Sequence, residues 1–369
     1  MINSPPNLVT RMGIKERLKE LEDELAKTQK NKKTEYHIGI LKSKIAQLRR
    51  QLLHPKKHGA SAGGFDIKKS GDATVAIIGL PSVGKSTLLN KLTKAESRTA
   101  AYAFTTLKCI PGIMEYEDTK IQLLDLPGII EGAKDGKGRG REIIAVARNA
   151  DLILVLVEAT RPRQAGIIES ELYGFGIRMN SQKPRVSIGK QIRGGVTISS
   201  TKKLTKISKK EILATLNQYG IFNANVVIHQ DITVDEFIDV IEGNRAYIPA
   251  LYVLTKADLV KSLPKLGFGY MAISAESGKG MEGLKKSIYE KLDLIHIFTK
   301  RRGEKADLEE PLVVRKGTTV AEVCSELHRD LKKEFRYALV WGKSVKHQPQ
   351  RVGLEHVLAD GDVIQIIKR

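Results

Sequence analysis

The sequence predicts an α/β protein: a mostly parallel sheet with helices on both faces, preceded by an N-terminal helical hairpin, interrupted by a small inserted α/β subdomain and closed by a C-terminal β-grasp module. Three observations lead there. The apolar run Val75-Ala76-Ile77-Ile78 feeds a glycine-rich turn that opens into Leu88-Leu89-Asn90-Lys91-Leu92, so strand, loop and helix follow one another. Near the N-terminus, apolar residues recur in steps of four and three. From about residue 294, short alternating runs surround one amphipathic stretch. A chain of 369 residues has room for two to three domains with ample core.

The N-terminal pattern places Ile14, Leu18, Leu21 and Leu25 on one seam and Ile38, Leu41, Ile45, Leu48 and Leu52 on another. That is the period of a packed helix face. The polar gap from Lys27 to Lys33 favours two helices folded into a hairpin over 1–58, with one long helix as the alternative. The seams are expected to bury against each other or against the main domain. Lys30, Lys32 and Lys33 would then sit at the hairpin tip. Pro55, Gly59, Gly63 and Gly64 mark a linker, taken as 59–71.

The main domain is expected over 72–163 and 245–293. Ile121 to Leu124, Leu152 to Val157 and Ala250 to Leu254 read as further buried strands. One helix and one loop would connect the last two in a compact domain. The intervening excess predicts the inserted subdomain at 164–244, with strand-like Arg185 to Ile188 and Val196 to Ile198, a Gly194-Gly195 turn, a helix from Lys209 to Tyr219 and an acidic helix from Val234 to Ile241. The β-grasp module is expected over 294–369. Its strands are Ile295 to Phe298, Leu312 to Val314, Ala338 to Trp341 and Asp362 to Ile367, and its single helix runs from Thr319 to Phe335.

The chemistry sits at strand ends. Gly79-Leu80-Pro81-Ser82-Val83-Gly84-Lys85-Ser86-Thr87 fits G-x-x-x-x-G-K-[ST] between a strand and a helix, the setting in which it binds phosphates. Backbone N–H groups turned inward cradle phosphate oxygens, and the helix N-terminus adds positive potential. Lys85 can reach the β- and γ-phosphates, and the Ser86 hydroxyl can ligate Mg2+. In Asp125-Leu126-Pro127-Gly128, Asp125 can hold Mg2+ through water and the Gly128 N–H can bond the γ-phosphate. Tyr102-Ala103-Phe104-Thr105-Thr106 lies where a switch loop belongs, with a threonine hydroxyl completing Mg2+ coordination only in the triphosphate state.

Two later motifs resemble those of GTPases. Thr255-Lys256-Ala257-Asp258 is similar to the guanine-specificity motif Asn-Lys-x-Asp, with threonine in place of asparagine. There Asp258 would accept two N–H donors that guanine supplies and adenine cannot, a paired contact that discriminates strongly. Ser274-Ala275 is similar to the Ser-Ala-Lys loop that supports the base, although Glu276 replaces the lysine. Together with Asp-Leu-Pro-Gly-Ile-Ile-Glu-Gly-Ala from Asp125 and Phe104-Thr105-Thr106, these motifs resemble the Obg-related GTPases. Within them the match is to the developmentally regulated GTP-binding proteins, through the Ala26 to Lys32 stretch, the large insert, the C-terminal domain and Val345 to Gln350. The resemblance covers nearly the whole chain. It implies GTP and GDP as ligands, Mg2+ held by Ser86, Thr106 and Asp125, and catalytic roles for Lys85, Thr106 and Gly128. It also implies an insert related to a domain of ribosomal proteins and a TGS domain of the kind found in translation-linked proteins.

Ile129 stands where Ras-type proteins place a water-orienting glutamine. Slow intrinsic hydrolysis is therefore expected, with an added positive charge from a partner arginine, from Arg139 or Arg141, or from K+ beside the phosphates. The related K+-using proteins often carry asparagine at the loop position of Ser82.

Net charge is +20 and localised: residues 1–70 carry +9 and residues 161–210 carry +10, leaving +1 elsewhere. Such clustering points to RNA or the ribosome as partner through those two segments. A membrane is not expected, because the basic runs lack interleaved Trp or Phe and no run is long enough to span a bilayer. Cys109 and Cys324, far apart, suggest no disulfide framework. The expectation is a monomeric, cytoplasmic GTP hydrolase acting as a switch, open to a regulatory protein partner. Its rivals are an ATP-dependent P-loop enzyme, opposed by Asp258, and an RNA-binding protein whose nucleotide is mainly structural, kept in play by Ile129.

Overall fold

The computed structural model describes residues 6–53, 71–93, 110–126, 139–301, 303, 304, 306–328 and 330–368. The chain divides into two compact units, one of Met1–Gly64 with Glu169–Tyr247 and one of Phe65–Ile168 with Ile248–Arg369. The expected linker over 59–71 lies outside the described residues apart from Gly71.

Helices α1 (Pro6–Lys27) and α2 (Glu35–Leu53) form the hairpin. Asn31 turns the chain: its side-chain oxygen accepts from the Lys33 and Thr34 amides at 2.9 and 3.1 Å. Leu21 packs on Leu41 and Ile45, with Leu18, Leu25 and Leu48 around them, so the two seams meet. Arg49 adds an ion pair to Glu22 at 2.7 Å.

Strand β1 (Ala73–Gly79) leads to helix α3 (Lys85–Leu92). Strands β2 (Ile110–Tyr116) and β3 (Thr119–Asp125), helix α4 (Arg139–Asn149) and strand β4 (Leu152–Glu158) follow. β1 pairs in parallel with β3 on one side and β4 on the other, while β2 runs antiparallel to β3. Every residue of β1 is buried, which is why it reads as a continuous apolar run rather than an alternating one.

Next come α5 (Gln164–Gly174), β5 (Ile177–Met179), β6 (Val186–Lys190), β7 (Val196–Ser200), α6 (Lys209–Gln218), β8 (Ala224–Ile228), α7 (Val234–Glu242) and β9 (Ala246–Ile248). Capping boxes, Ser208 with Glu211 and Thr233 with Glu236, start α6 and α7. The small sheet has the order β6-β8-β7, with β8 antiparallel to β6 and parallel to β7. The sequence reading lacked β8; Ala224-Asn225-Val226-Val227-Ile228 carries no turn signal that separates it from its surroundings. Ile212, Leu216, Val226, Ile228, Phe237 and Ile238 form the core of this layer.

The seams bury against each other, as expected, and the hairpin also packs on this insert through a second face of α2 that the sequence reading did not include. Ala46 of α2 joins the core of the insert, and Gln47 Nε2 donates to the Gln218 carbonyl at 3.1 Å. Gly39 permits the approach: a Cβ there would stand 3.1 Å from the Glu211 carbonyl oxygen and 3.2 Å from the Ala214 Cβ. Lys42 Nζ closes on Asp235 at 2.6 Å. Beneath these contacts Asp239, 4% exposed, is gripped by Arg178 at 2.6 and 2.7 Å and by Arg245 at 2.7 Å. The Arg178 guanidinium also lies 3.5 Å over the Tyr173 ring.

β10 (Ala250–Thr255) and β11 (Tyr270–Ala272) complete the main sheet, in the order β11-β10-β4-β1-β3-β2. Helix α8 (Met281–Leu292) packs Leu284 and Ile288 against it. The C-terminal module comprises β12 (Leu294–Thr299), β13 (Leu312–Arg315), α9 (Val320–Leu327), α10 (Leu331–Glu334), β14 (Phe335–Trp341), β15 (Gln350–Val352) and β16 (Val363–Lys368). Its strand order is β13-β12-β16-β14-β15. The single helix expected from Thr319 to Phe335 is broken: His328 is extended at φ −164° and ψ 140°, and Phe335 already begins a strand. The break lets Leu331 and Phe335 pack on the core under Val320, Val323 and Cys324. Arg315 pairs with Asp151 of the main domain, whose other oxygen accepts from the Thr74 amide.

Replacing Asp239 by alanine strands two buried guanidinium groups. We expect Asp239→Ala to destabilise the unit of hairpin and insert by about 3–5 kcal/mol, read as a lowered midpoint in urea unfolding.

Candidate nucleotide-binding site

The site is built where β1 stops. A Cβ on Gly79 would lie 2.8 Å from both the Leu156 carbonyl oxygen and Val83 Cγ1, so only glycine lets β4 and the loop come this close. Ser82 and Gly84 take left-handed conformations, φ +61° and +94°. Val83, 1% exposed, anchors the loop from below, while Pro81, Ser82, Ser86 and Thr87 are exposed at its mouth. α3 begins directly at Lys85, so its unpaired first-turn amides open onto the loop. Lys85 Nζ donates to the Gly79 and Leu80 carbonyls at 3.0 Å each, which holds the ammonium across the loop.

Asp125, at the end of β3, sits opposite Ile77 of β1 and is 5% exposed. Ser86 Oγ donates to its Oδ2 at 3.2 Å. Its Oδ1 is buried without a hydrogen-bond partner. Burial raises the carboxyl above its ordinary range, while the Lys85 charge and the Ser86 hydroxyl pull it down. A buried carboxylate oxygen without a partner among the described residues, beside a hydroxyl, suits a hydrated divalent cation, and the ammonium suits the phosphates that would accompany it, so the residues present fit Mg2+.

A second cluster lies at the end of β10. Thr255, 3% exposed, donates its hydroxyl to the Val83 carbonyl at 2.7 Å and so ties this strand to the phosphate loop. Thr255 therefore serves here as a tether between two loops, a job its short hydroxyl does without an amide. Lys256 is left-handed at φ +55°, with Nζ 3.6 Å from Glu158 Oε1. Asp258 stands exposed in a single 3-10 turn. The Ser274 hydroxyl, by hydrogen bonding, holds its carboxyl below the usual range, with the Asp258 backbone amide adding to the effect. Backbone bonds keep the two loops together: Ala257 N to the Ile273 carbonyl at 3.0 Å and Ile273 N to the Leu254 carbonyl at 2.8 Å. Ala275 follows at the same edge.

The structure thus brings Pro81 to Thr87 together with Asp125, and Thr255 to Asp258 together with Ser274 and Ala275. Thr106, Gly128 and Ile129 lie outside the described residues. Arg139 and Arg141 fall in the first turn of α4. Sequence reasoning missed Glu158, which accepts from Thr160 Oγ1 at 2.9 Å and faces Lys256. Its only signal is its place as the charged last residue of a buried apolar strand.

A family model described as "50S ribosome-binding GTPase" matches residues 74–190, one described as "C-terminal region of MMR_HSR1 domain" matches 193–294, and a TGS domain model matches 295–368. Developmentally-regulated GTP-binding protein 2 of Homo sapiens is 50% identical over 364 residues, covering 97% of this chain and 100% of its own length. The developmentally-regulated GTP-binding protein 1 homolog of Dictyostelium discoideum is 49% identical over 371 residues, with the same two coverages of 97% and 100%. Among solved structures, the YchF GTPase of Schizosaccharomyces pombe is 16% identical and covers 81% of this chain and 99% of its own, with a TM-score of 0.46. With half of its residues shared over full length and a phosphate loop joined to a guanine-type motif, this GTPase belongs to the family of developmentally-regulated GTP-binding proteins.

Proposed function

We propose that this chain is a Mg2+-dependent switch that hydrolyses GTP to GDP and phosphate and acts on ribosomes or RNA. The observation that carries the reading is the unpartnered Asp125 Oδ1 beside Ser86 and Lys85 at the mouth of a glycine loop. Mg2+ would supply neutralisation of the charge on the phosphates of a bound nucleotide. Ser86 and Asp125 would hold it, and the resemblance of the Phe104-Thr105-Thr106 stretch adds Thr106 as the residue that would join them in the GTP state. Lys85 exchanges its loop carbonyls for phosphate oxygens, and the Gly128 amide bonds the γ-phosphate. Asp258, oriented by Ser274, reads the guanine edge, while Thr255 and Lys256 fix the depth of the base relative to the loop.

The ribosome link rests on the localised charge and on the printed description of the family model over residues 74–190. K+ is the charge source we favour for catalysis, because Ser82 offers an exposed hydroxyl on the phosphate loop and the Ile129 side chain offers no proton or lone pair. Among the described residues no helix is long and apolar enough to cross a membrane.

Three outcomes test this reading. Wild type binds GTP and GDP far more tightly than ATP, and Asp258→Asn moves preference to xanthine nucleotides, whose extra carbonyl accepts from an amide; equal affinity of wild type for ATP and GTP in a competition assay defeats the base assignment. Ser86→Ala lowers affinity for both guanine nucleotides by about tenfold in Mg2+ and by little in EDTA, since losing one charge-assisted contact costs about 1.5–3 kcal/mol only with the ion present. Turnover is slow alone, rises on adding ribosomes, and is faster in potassium than in sodium at equal ionic strength; matching rates in the two salts shift the catalytic charge to an arginine.

A further inference from the structure

The insert is a two-layer structure whose helices cover one face of the small sheet. Val186, Ile188, Val196, Ile198, Val226 and Ile228 point to α6 and α7 and form its core. The alternate positions point away, and among the described residues no helix covers them. In register they make two rows across the sheet, Gly189-Asn225-Thr197 and Ser187-Val227-Ser199. All six are exposed except Val227, which is half-buried. The face carries three hydroxyls, an amide and one valine side chain, and none of the six positions bears a carboxylate.

Its rim is basic. From Leu172 to Lys210 the chain has ten Lys or Arg and no Asp or Glu. Lys183, Arg185, Lys190, Arg193, Lys202 and Lys203 are exposed, and among the described residues none of them forms an ion pair. Elsewhere in the same unit basic residues are paired, as with Lys42, Arg49, Arg178 and Arg245. At one end of the face Ile192 and Phe222, 99% and 64% exposed, stand on adjoining loops joined by a bond from Asn223 to the Ile192 carbonyl.

We propose that this open sheet face of the insert is the surface that docks an RNA helix, gripping its sugar-phosphate backbone. The inference rests on the RNA-linked reading above and names the surface that serves it. Charge complementarity selects a polyanion. A protein partner would find a single apolar side chain at the centre of the face, where protein interfaces are desolvated and rich in aromatic residues. Without aromatic side chains the rows cannot stack splayed bases. Small hydroxyl and amide groups instead match the 2′-hydroxyls and phosphates displayed across the wide minor groove of A-form RNA. Phe222 can stack on a terminal or looped-out base at the edge of the helix.

The test uses the full chain and a long RNA stem-loop, with its DNA counterpart as control. Thr197→Glu and Asn225→Glu each place a carboxylate at the centre of the face. Each is expected to weaken RNA binding by about tenfold or more at moderate salt, with GTP binding and melting temperature unchanged because both sites are exposed. Thr197→Ala with Ser199→Ala is expected to reduce preference for RNA over DNA, which a general loss of charge would not do. Phe222→Ala should weaken binding about fivefold or more, the scale of one lost base stack. A fourth set neutralises Lys202, Lys203, Lys206, Lys209 and Lys210. If that set weakens binding but Thr197→Glu and Asn225→Glu do not, RNA binds elsewhere on the chain, and the face is ruled out while the RNA-linked reading stands. If wild type binds neither the stem-loop nor ribosomes, both fail together. RNA binding unchanged in the carboxylate variants, with loss instead of a defined protein partner, also overturns the proposal.

Discussion

Parallel pairing of β1 between β3 and β4 is the constraint on which this molecule turns. Three adjacent strands ending at one edge deliver Gly79, Asp125 and Glu158 there together, and β10 adds Thr255 beside them. The carboxyl edge of a parallel sheet is where such folds hold ligands. The closeness has a cost in residue choice. Gly79 tolerates no side chain against Leu156, and the loop accepts a left-handed Ser82 to keep its amides turned inward. One hydrogen bond, from Thr255 to the Val83 carbonyl, then joins the phosphate end to the base end. The two halves of the site are thereby set at a fixed separation before any ligand arrives, which is how a site avoids spending binding energy on its own ordering.

Features that the sequence displays openly are the local ones. The glycine loop, the Asp125 strand end and the Thr255 to Asp258 turn each occupy a few consecutive residues whose types are dictated by backbone geometry or by a ligand, so they can be read in isolation. The family and the α/β architecture followed from them. Less visible were features decided by packing across long separations. β8 is a central strand with one exposed position, Asn225, and one half-buried, Val227, and nothing in its own sequence says that it lies between β6 and β7. The break after Leu327 answers to the core beneath it, where Leu331 and Phe335 find room that a straight helix would deny them. Glu158 gains its meaning only from Lys256, on a different strand.

The periodicity of α2 illustrates the same division. Its seam of Ile38, Leu41, Ile45 and Leu48 declared a helix with a buried face, and it is one. What it could not declare was a second contact face, because Gly39, Lys42, Ala46 and Gln47 read as an ordinary polar surface interrupted by small residues. The structure shows that small residues are there to bring helix backbones together and that the charged and amide groups find partners on α6 and α7. Asp239, held by two arginines below, makes this a junction with little tolerance for rearrangement.

That junction joins pieces of chain made at different times. Lys42 and Asp235, in contact at 2.6 Å, are 193 positions apart. Synthesis proceeds from the N-terminus, so α2 is finished long before the helices it rests on exist. For that interval its docking face has no partner within the nascent chain. Closing so distant a contact is entropically slow compared with folding the hairpin itself. What the hairpin has to itself during that interval is its own seam. The close meeting of its own seams, with Leu21 against Leu41 and Ile45, lets it wait without its mate.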